Sequence, residues 1–354
     1  MAQSARVPAS PLGKLKRYVR ILLSTPDKDV GWIPTALPKA LSIIRNENIN
    51  CVYCVTPPHS AQFIGYLVKR ITGLPLVVDF RDPWSQNHGF ETQQPFPSLR
   101  RVSEAMERAV HRRADVVIAS TVLMGEGFRS KYGNEVGDKY YPILNGYDPE
   151  DMSTDDSIAY DKFTVVYGGG VYGHRNWDAF FEGLKRFLAS KPSARKQVQF
   201  VFLGRGLGTY ARNWGLEDVV VDKGYLSQRD VYRHMFQADI LLLILWSGPD
   251  GAAIVPAKSY EYLATGRPIL ALVPEGEVAG CIRGNNGGEV LTQPDPTAVE
   301  SFLADKYAEW EKRCPERIEP RVVHIEKFTR RHQTSQLAKL LDHAVGKNRG
   351  RLEL

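Results

Sequence analysis

The feature that most constrains this chain is a strict alternation of strand-like and helix-like segments. Between Asn50 and Leu144 the order is Cys51–Val55, Ser60–Thr72, Leu76–Phe80, Leu99–Arg113, Val116–Ala119 and Val122–Tyr132. The short runs are β-branched on both faces, and the intervening runs have helical length. Such a pattern predicts βαβ units around a parallel sheet buried on both sides.

The alternation repeats after a break. Asn145-Gly146-Tyr147-Asp148-Pro149 carries two turn-forming dipeptides, and the acidic stretch Glu150 to Asp156 reads as a linker. A second series follows: strands at Phe163–Tyr167, Val198–Leu203, Val219–Val221, Ile240–Leu245 and Ile269–Val273, with helices around Trp177–Leu188, Arg229–Phe236 and Pro256–Ala264. Two helices close the chain, Pro296–Arg313 and Val322–Val345. A length of 354 residues also exceeds what one core normally supports. The expected class is therefore α/β: a Rossmann-like half over 1–149, a second over 157–320, and a helix over 321–354 that crosses back to the first half. Two open parallel sheets in tandem predict a ligand cleft at the carboxyl ends of their strands.

Several classes of function are disfavoured at once. Four cysteines are too few for a disulfide framework in a chain this long. Cys51 and Cys54 form a C-x-x-C, but a strand points them to opposite faces and no second pair completes a metal site, so core packing is expected. The formal net charge of +6 favours anionic partners, yet no basic run is interleaved with aromatics as in nucleic-acid binders. No apolar run approaches the ~20 residues of a membrane span. The absence of an apolar leader with a small-residue cleavage site predicts a cytoplasmic location. The basic segments Lys14–Arg20 and Arg321–Arg331 predict attraction to an anionic membrane, peripherally on its inner face.

Two motifs carry chemistry. Gly168, Gly170 and Gly173 spell G-x-G-x-x-G between a strand and a helix. A dinucleotide site would need an acidic residue at the end of the next strand, and that strand ends in Leu203-Gly204-Arg205 instead. The glycines remain suited to a pyrophosphate approached by backbone amides with Arg175 as a cation, or to a tight turn without a ligand. The second motif lies in Val255–Leu270, where Pro256 starts a helix, Gly266 ends it and Pro268 leads into a strand. Lys258 and Glu261, three residues apart, share a face near the helix start. They fit a phosphate-binding cation with a ribose-binding carboxylate, or equally a surface salt bridge.

A resemblance breaks the tie. Pro256–Leu270 resembles the "PgKlfEYLa-G-PIL" segment of the retaining glycosyltransferases of family four, which have the GT-B fold. Leu76–Trp84 resembles the "DFRDPW" segment of one bacterial branch of that family, many members of which build surface polysaccharides. Thr56–Ala61, Asn145–Asp148 and Leu203–Gly206 resemble its "sPPhsa", "NGyD" and "GdG" segments, in the family's order. The match spans roughly Pro26 to Pro274.

The resemblance implies a metal-independent, retaining transfer of a hexose-type sugar from a UDP- or GDP-sugar to a polysaccharide or lipid-linked acceptor, without a cofactor. It implies that Glu261 holds the donor ribose, with Tyr262 beside it. Lys258 and Arg175 would lie against the diphosphate under the Gly169-Gly170 turn, while Gly204 and Tyr225 line the nucleoside pocket. No Asp-x-Asp pair suited to a cation between nucleotide and sugar is found. On the acceptor side it implies catalytic roles for Asp82, Arg81 and His59, with Trp84 available to stack on a sugar ring. An Asx turn at Asp82-Pro83 is the plainer reading of that carboxylate.

Two departures accompany the match. Ala253 stands where the family has the first of two glutamates with seven residues between them, the second being Glu261. The opening strand and glycine-rich loop of the family have no counterpart, so the first sheet is expected to be incomplete and the N-terminus truncated. Both favour an alternative, a catalytically silent nucleotide-sugar-binding or partner subunit. An epimerase on the same fold is disfavoured because the matched segments belong to transferases.

Overall fold

The structure is a computed structural model, and it describes residues 11–87, 90–152, 158–171, 177–207, 210–246, 248–313 and 325–346. It divides into two compact units, one of residues Met1–Ile143 with Gln336–Leu354, the other of Leu144–Ser335.

The first unit begins with helices α1 (Pro11–Leu22) and α2 (Ile33–Asn46). Then follow β1 (Val52–Thr56), α3 (His59–Thr72), β2 (Leu76–Phe80), a short α4 (Phe90–Gln93), α5 (Pro97–Arg113), β3 (Val116–Ala119), α6 (Val122–Val136) and β4 (Tyr140–Pro142). The four strands form one parallel sheet in the order β1-β2-β3-β4. Every residue of β2 and β3 is buried, as parallel strands covered on both faces must be. Asp79, inside β2, is tolerated because Arg81 grips it bidentately (Nε to Oδ1 2.8 Å, a terminal nitrogen to Oδ2 2.7 Å) and Tyr53 donates to Oδ2 at 2.6 Å. Gly73 ends α3 at φ 75°, in the left-handed region that glycine adopts without strain. Thr121 caps α6, accepting from the Met124 amide at 3.1 Å. Cys54 behaves as a small core residue: it packs on α3 at Gly65, and burial pushes its thiol up to about 11.

The second unit contains β5 (Phe163–Gly168), α7 (Trp177–Ser190), β6 (Val198–Leu203), a short α8 (Tyr210–Trp214), β7 (Val220–Asp222), α9 (Gln228–Gln237), β8 (Ile240–Ile244), a short α10 (Pro249–Ala252), α11 (Ala257–Ala264), β9 (Ile269–Leu272), α12 (Glu277–Gly284), β10 (Gly288–Leu291) and α13 (Pro296–Arg313). Its six strands are all parallel, in the order β10-β9-β8-β5-β6-β7. The chain runs outward from β5 to β7 and then restarts at β8 on the other side of β5, so the winding reverses between β5 and β8. In open parallel sheets that switch point is where ligands enter. One face of the sheet is sealed by Phe180, Phe181, Leu184 and Phe187 of α7 and by Val299, Leu303 and Tyr307 of α13.

The closing helix predicted over Val322–Val345 is corrected. Residues 321–324 lie outside the described residues, Glu326–Phe328 form a single 3₁₀ turn, and α14 runs only from Arg330 to Ala344. Thr329 is extended (φ −73°, ψ 146°), which breaks the helix, and its hydroxyl accepts from the His332 amide at 3.3 Å as a new N-cap. Toward its end Leu340 is fully buried with Val77, Val116 and Ile118 of the first unit's sheet.

Candidate nucleotide site

At the β5/β8 switch point the second unit carries a pocket of about 680 Å³, within the range of small-molecule sites. Its floor is made by two glycine turns. The Gly169 amide donates to the Leu203 carbonyl at 2.8 Å and the Val171 amide to the Arg205 carbonyl at 2.9 Å, joining the turn after β5 to the turn after β6. A Cβ on Gly204 would sit 1.9 Å from the Gly169 carbonyl oxygen, so only glycine permits this approach. Gly169 itself has φ 132°.

Lys258, in the first turn of α11, reaches under the first turn. Its Nζ donates to the Gly168 carbonyl at 3.1 Å and lies 4.1 Å from the centroid of the Tyr167 ring. Glu261, one turn further on, reaches the pocket wall, where Tyr232 of α9 donates to its Oε1 at 3.0 Å. Burial raises the Glu261 carboxyl above its usual range, opposed by that hydrogen bond and by the charges of Arg330 and Lys258. Opposite stands Tyr225, 76% exposed, with the Arg205 guanidinium 4.8 Å from its ring centroid.

Of the donor-side residues singled out in the sequence, Gly169, Gly170, Gly204, Tyr225 and Glu261 all line this one pocket. Tyr262 does not. It is fully buried and its hydroxyl accepts from the Gly168 amide at 2.9 Å, so it shapes the glycine turn rather than meeting a ligand. Arg175 lies outside the described residues. Among the other wall residues, Gln228 and Tyr232 carry no sequence signal of their own. Gln228 and Tyr232 are four apart on α9, a spacing that puts them on one face but does not say what that face meets.

The acceptor-side residues lie in the first unit. His59 starts α3 and stacks on Trp84 (centroids 4.7 Å apart, rings 13° from parallel). Burial lowers its imidazole to about 4, and its Nδ1 has no hydrogen-bond partner among the described residues. Trp84 is the clear correction: it is 2% exposed and its Nε1 donates to Ser103 at 2.9 Å, so no sugar can stack on it. Arg81 holds Asp79 and donates to the Ile143 carbonyl at 3.0 Å, a tie within the unit. Asp82 is exposed, yet crowding by protein atoms desolvates its carboxyl enough to raise its pKa.

Comparison with known proteins bears on the fold. Residues 3–137 match the glycosyl transferase 4-like domain. Among solved structures, HepE of Anabaena, solved with UDP bound, aligns over 95% of this chain and 85% of its own at 17% identity and a TM-score of 0.58. Sucrose-phosphate synthase of Thermosynechococcus elongatus aligns over 98% and 86% at 14% identity (TM-score 0.61). The lipopolysaccharide outer core galactosyltransferase WaaB aligns over 88% and 80% at 13% identity (TM-score 0.56). No curated protein matches the sequence significantly. The chain thus has a glycosyltransferase-like α/β fold of GT-B type, with two Rossmann-like parallel-sheet units. Among the described residues, no helix is long and apolar enough to cross a membrane.

Proposed function

We propose that the protein is a retaining, metal-independent glycosyltransferase that uses a UDP-sugar, GDP being the less favoured donor nucleotide. The observation that carries this reading is that Glu261 and the paired glycine turns line one pocket at the switch point of the second unit, with the Lys258 ammonium held on the Gly168 carbonyl behind the first turn. The base and ribose lie between Tyr225, Gly204 and Glu261, and the diphosphate lies at the Gly169-Gly170 turn. Lys258 and Arg175 offset the charge that grows on the diphosphate as its bond to the sugar C1 breaks. UDP is preferred over GDP on the strength of the UDP-bound relative of the same fold. The acceptor oxygen bonds to C1 from the face the diphosphate leaves, and its hydroxyl proton passes to Asp82, the acceptor-side carboxylate.

The acceptor is a saccharide, proposed here as lipid-linked or part of a polysaccharide, and handled at an anionic membrane surface. Leu15, Val19, Leu22 and Leu23 are exposed at helical spacing on and just after α1, with Lys16, Arg17 and Arg20 beside them, the pattern of a helix that lies in a lipid interface. Flotation with vesicles containing anionic lipid tests this part, and no dependence on anionic lipid removes it.

Incubation with labelled UDP- and GDP-sugars tests the activity: release or transfer of the sugar supports the enzyme. Binding without turnover supports the second reading, a silent nucleotide-sugar-binding subunit, which Ala253 favours because it removes a donor-side carboxylate.

A further inference from the structure

We propose that Tyr232 is a positioning residue for Glu261 and, through it, sets how strongly the pocket distinguishes a ribose from a sugar lacking its hydroxyls. The proposal rests on Glu261 being the carboxylate that holds the nucleotide ribose. Tyr232 is 3% exposed, and its hydroxyl sits in a directed chain. Gln228 Nε2 donates to the Tyr232 oxygen at 2.6 Å, and the Tyr232 hydroxyl donates to Glu261 Oε1 at 3.0 Å. The amide supplies a proton to the phenol oxygen, so the phenol's own proton is turned toward the carboxylate. That proton stays in place, because burial and the neighbouring Glu261 push the Tyr232 hydroxyl up to about 12.

The chain of donors ends on an acceptor. An ionised carboxylate offers only lone pairs, and with Oε1 engaged by Tyr232 the second oxygen, Oε2, is the one left to meet a ligand. What it accepts must be a donor, and a ribose diol supplies two hydroxyls in that form. Fixing one oxygen also selects a side-chain rotamer for Glu261, whose χ angles otherwise remain soft on a helix surface. Preorganisation of this kind raises affinity by lowering the ordering cost on binding. Gln228 and Tyr232 stand on one face of α9, whereas Glu261 belongs to α11, so the contact also fixes the two walls of the pocket against each other.

Calorimetric titration of the full chain with UDP and with 2′,3′-dideoxy-UDP provides the test. The wild type is expected to prefer UDP, and Tyr232→Phe to shrink that preference by about tenfold, the size of one hydrogen bond to a charged group. The affinity for dideoxy-UDP stays within about twofold, a result that a general loosening of the pocket would not give. Gln228→Met, which leaves the tyrosine in place, shrinks the preference in the same direction by less, and covers the case in which the phenylalanine variant does not fold. Variants that keep the wild-type ratio overturn the positioning role and leave the nucleotide reading standing. A wild type that binds UDP and dideoxy-UDP equally removes Glu261 as the ribose ligand, and the inference with it. A wild type that binds neither ends the nucleotide reading itself.

Discussion

Gly204 and Gly169 touch backbone to backbone: a Cβ placed on Gly204 would come within 1.9 Å of the Gly169 carbonyl oxygen. The two turns that floor the pocket are therefore set by the absence of a side chain. Gly204→Ala must push the turns apart and reshape the pocket floor. The expected outcome is a loss of UDP affinity of about tenfold or more, with a lower thermal midpoint. Unchanged calorimetric affinity in a folded alanine variant would show that the turns do not shape the site.

Lys258 sits behind the same floor, with its ammonium on the Gly168 carbonyl. Lys258→Met keeps most of the stem that packs over Tyr167 and removes the ammonium. A hydrogen bond to a charged group is worth about 1.5–3 kcal/mol, so UDP affinity should fall by roughly 10- to 100-fold. Uridine, which lacks the diphosphate, should bind the variant and the wild type alike. An equal loss for both ligands would place Lys258 away from the phosphates.

Asp82 is the carboxylate proposed for the acceptor side. Asp82→Asn is expected to lower sugar transfer by about a hundredfold, the lower end for a positioned proton-transfer group, with UDP affinity unchanged. Transfer at near the wild-type rate would return Asp82 to the plainer role of an Asx turn.

His111 predicts an acid sensitivity of the fold. It is fully buried, with its ring 4.8 Å from Phe80 and 4.7 Å from Phe128, and burial lowers its imidazole to about 3. The unfolded chain takes up a proton near pH 6.5 that the folded chain refuses until about 3, so stability is lost as pH falls through that window. His59, lowered to about 4, acts in the same direction. His111→Phe should narrow the drop in thermal midpoint between pH 7.5 and pH 5. An identical drop in variant and wild type would assign the acid sensitivity to other groups.

Leu340 ties α14 to the first unit's sheet. Leu340→Ala removes a fully buried side chain from Val77, Val116 and Ile118 and should destabilise that unit by about 2–5 kcal/mol, read as an earlier transition in urea.

The interior of both sheets was legible in the sequence because buried parallel strands are written almost entirely in apolar residues. Leu76–Phe80, Val116–Ala119 and Val198–Leu203 fall where the pattern put them. Of the four edge strands, β1 and β7 were read but β4 and β10 escaped. Tyr140–Pro142 is three residues long and contains a proline, while Gly288–Leu291 starts on a glycine, carries Glu289 and is half exposed. Edge strands are short and polar for physical reasons, and those reasons erase the signal.

The pocket was legible only where spacing along one element carries meaning. Lys258 and Glu261 share a helix face, and the glycines mark two turns. Tyr232 was invisible because its partner Glu261 is 29 residues away, on another helix. Trp84 was misread for the opposite reason: an aromatic beside a charged motif looks available, and only packing reveals that His59 and Ser103 cover it.

The most direct measurement is a calorimetric titration of the full chain with UDP. Saturable one-to-one binding is expected, weakened by about tenfold or more by each of Lys258→Met and Glu261→Gln. Absence of binding, or binding that neither substitution alters, would contradict the nucleotide reading.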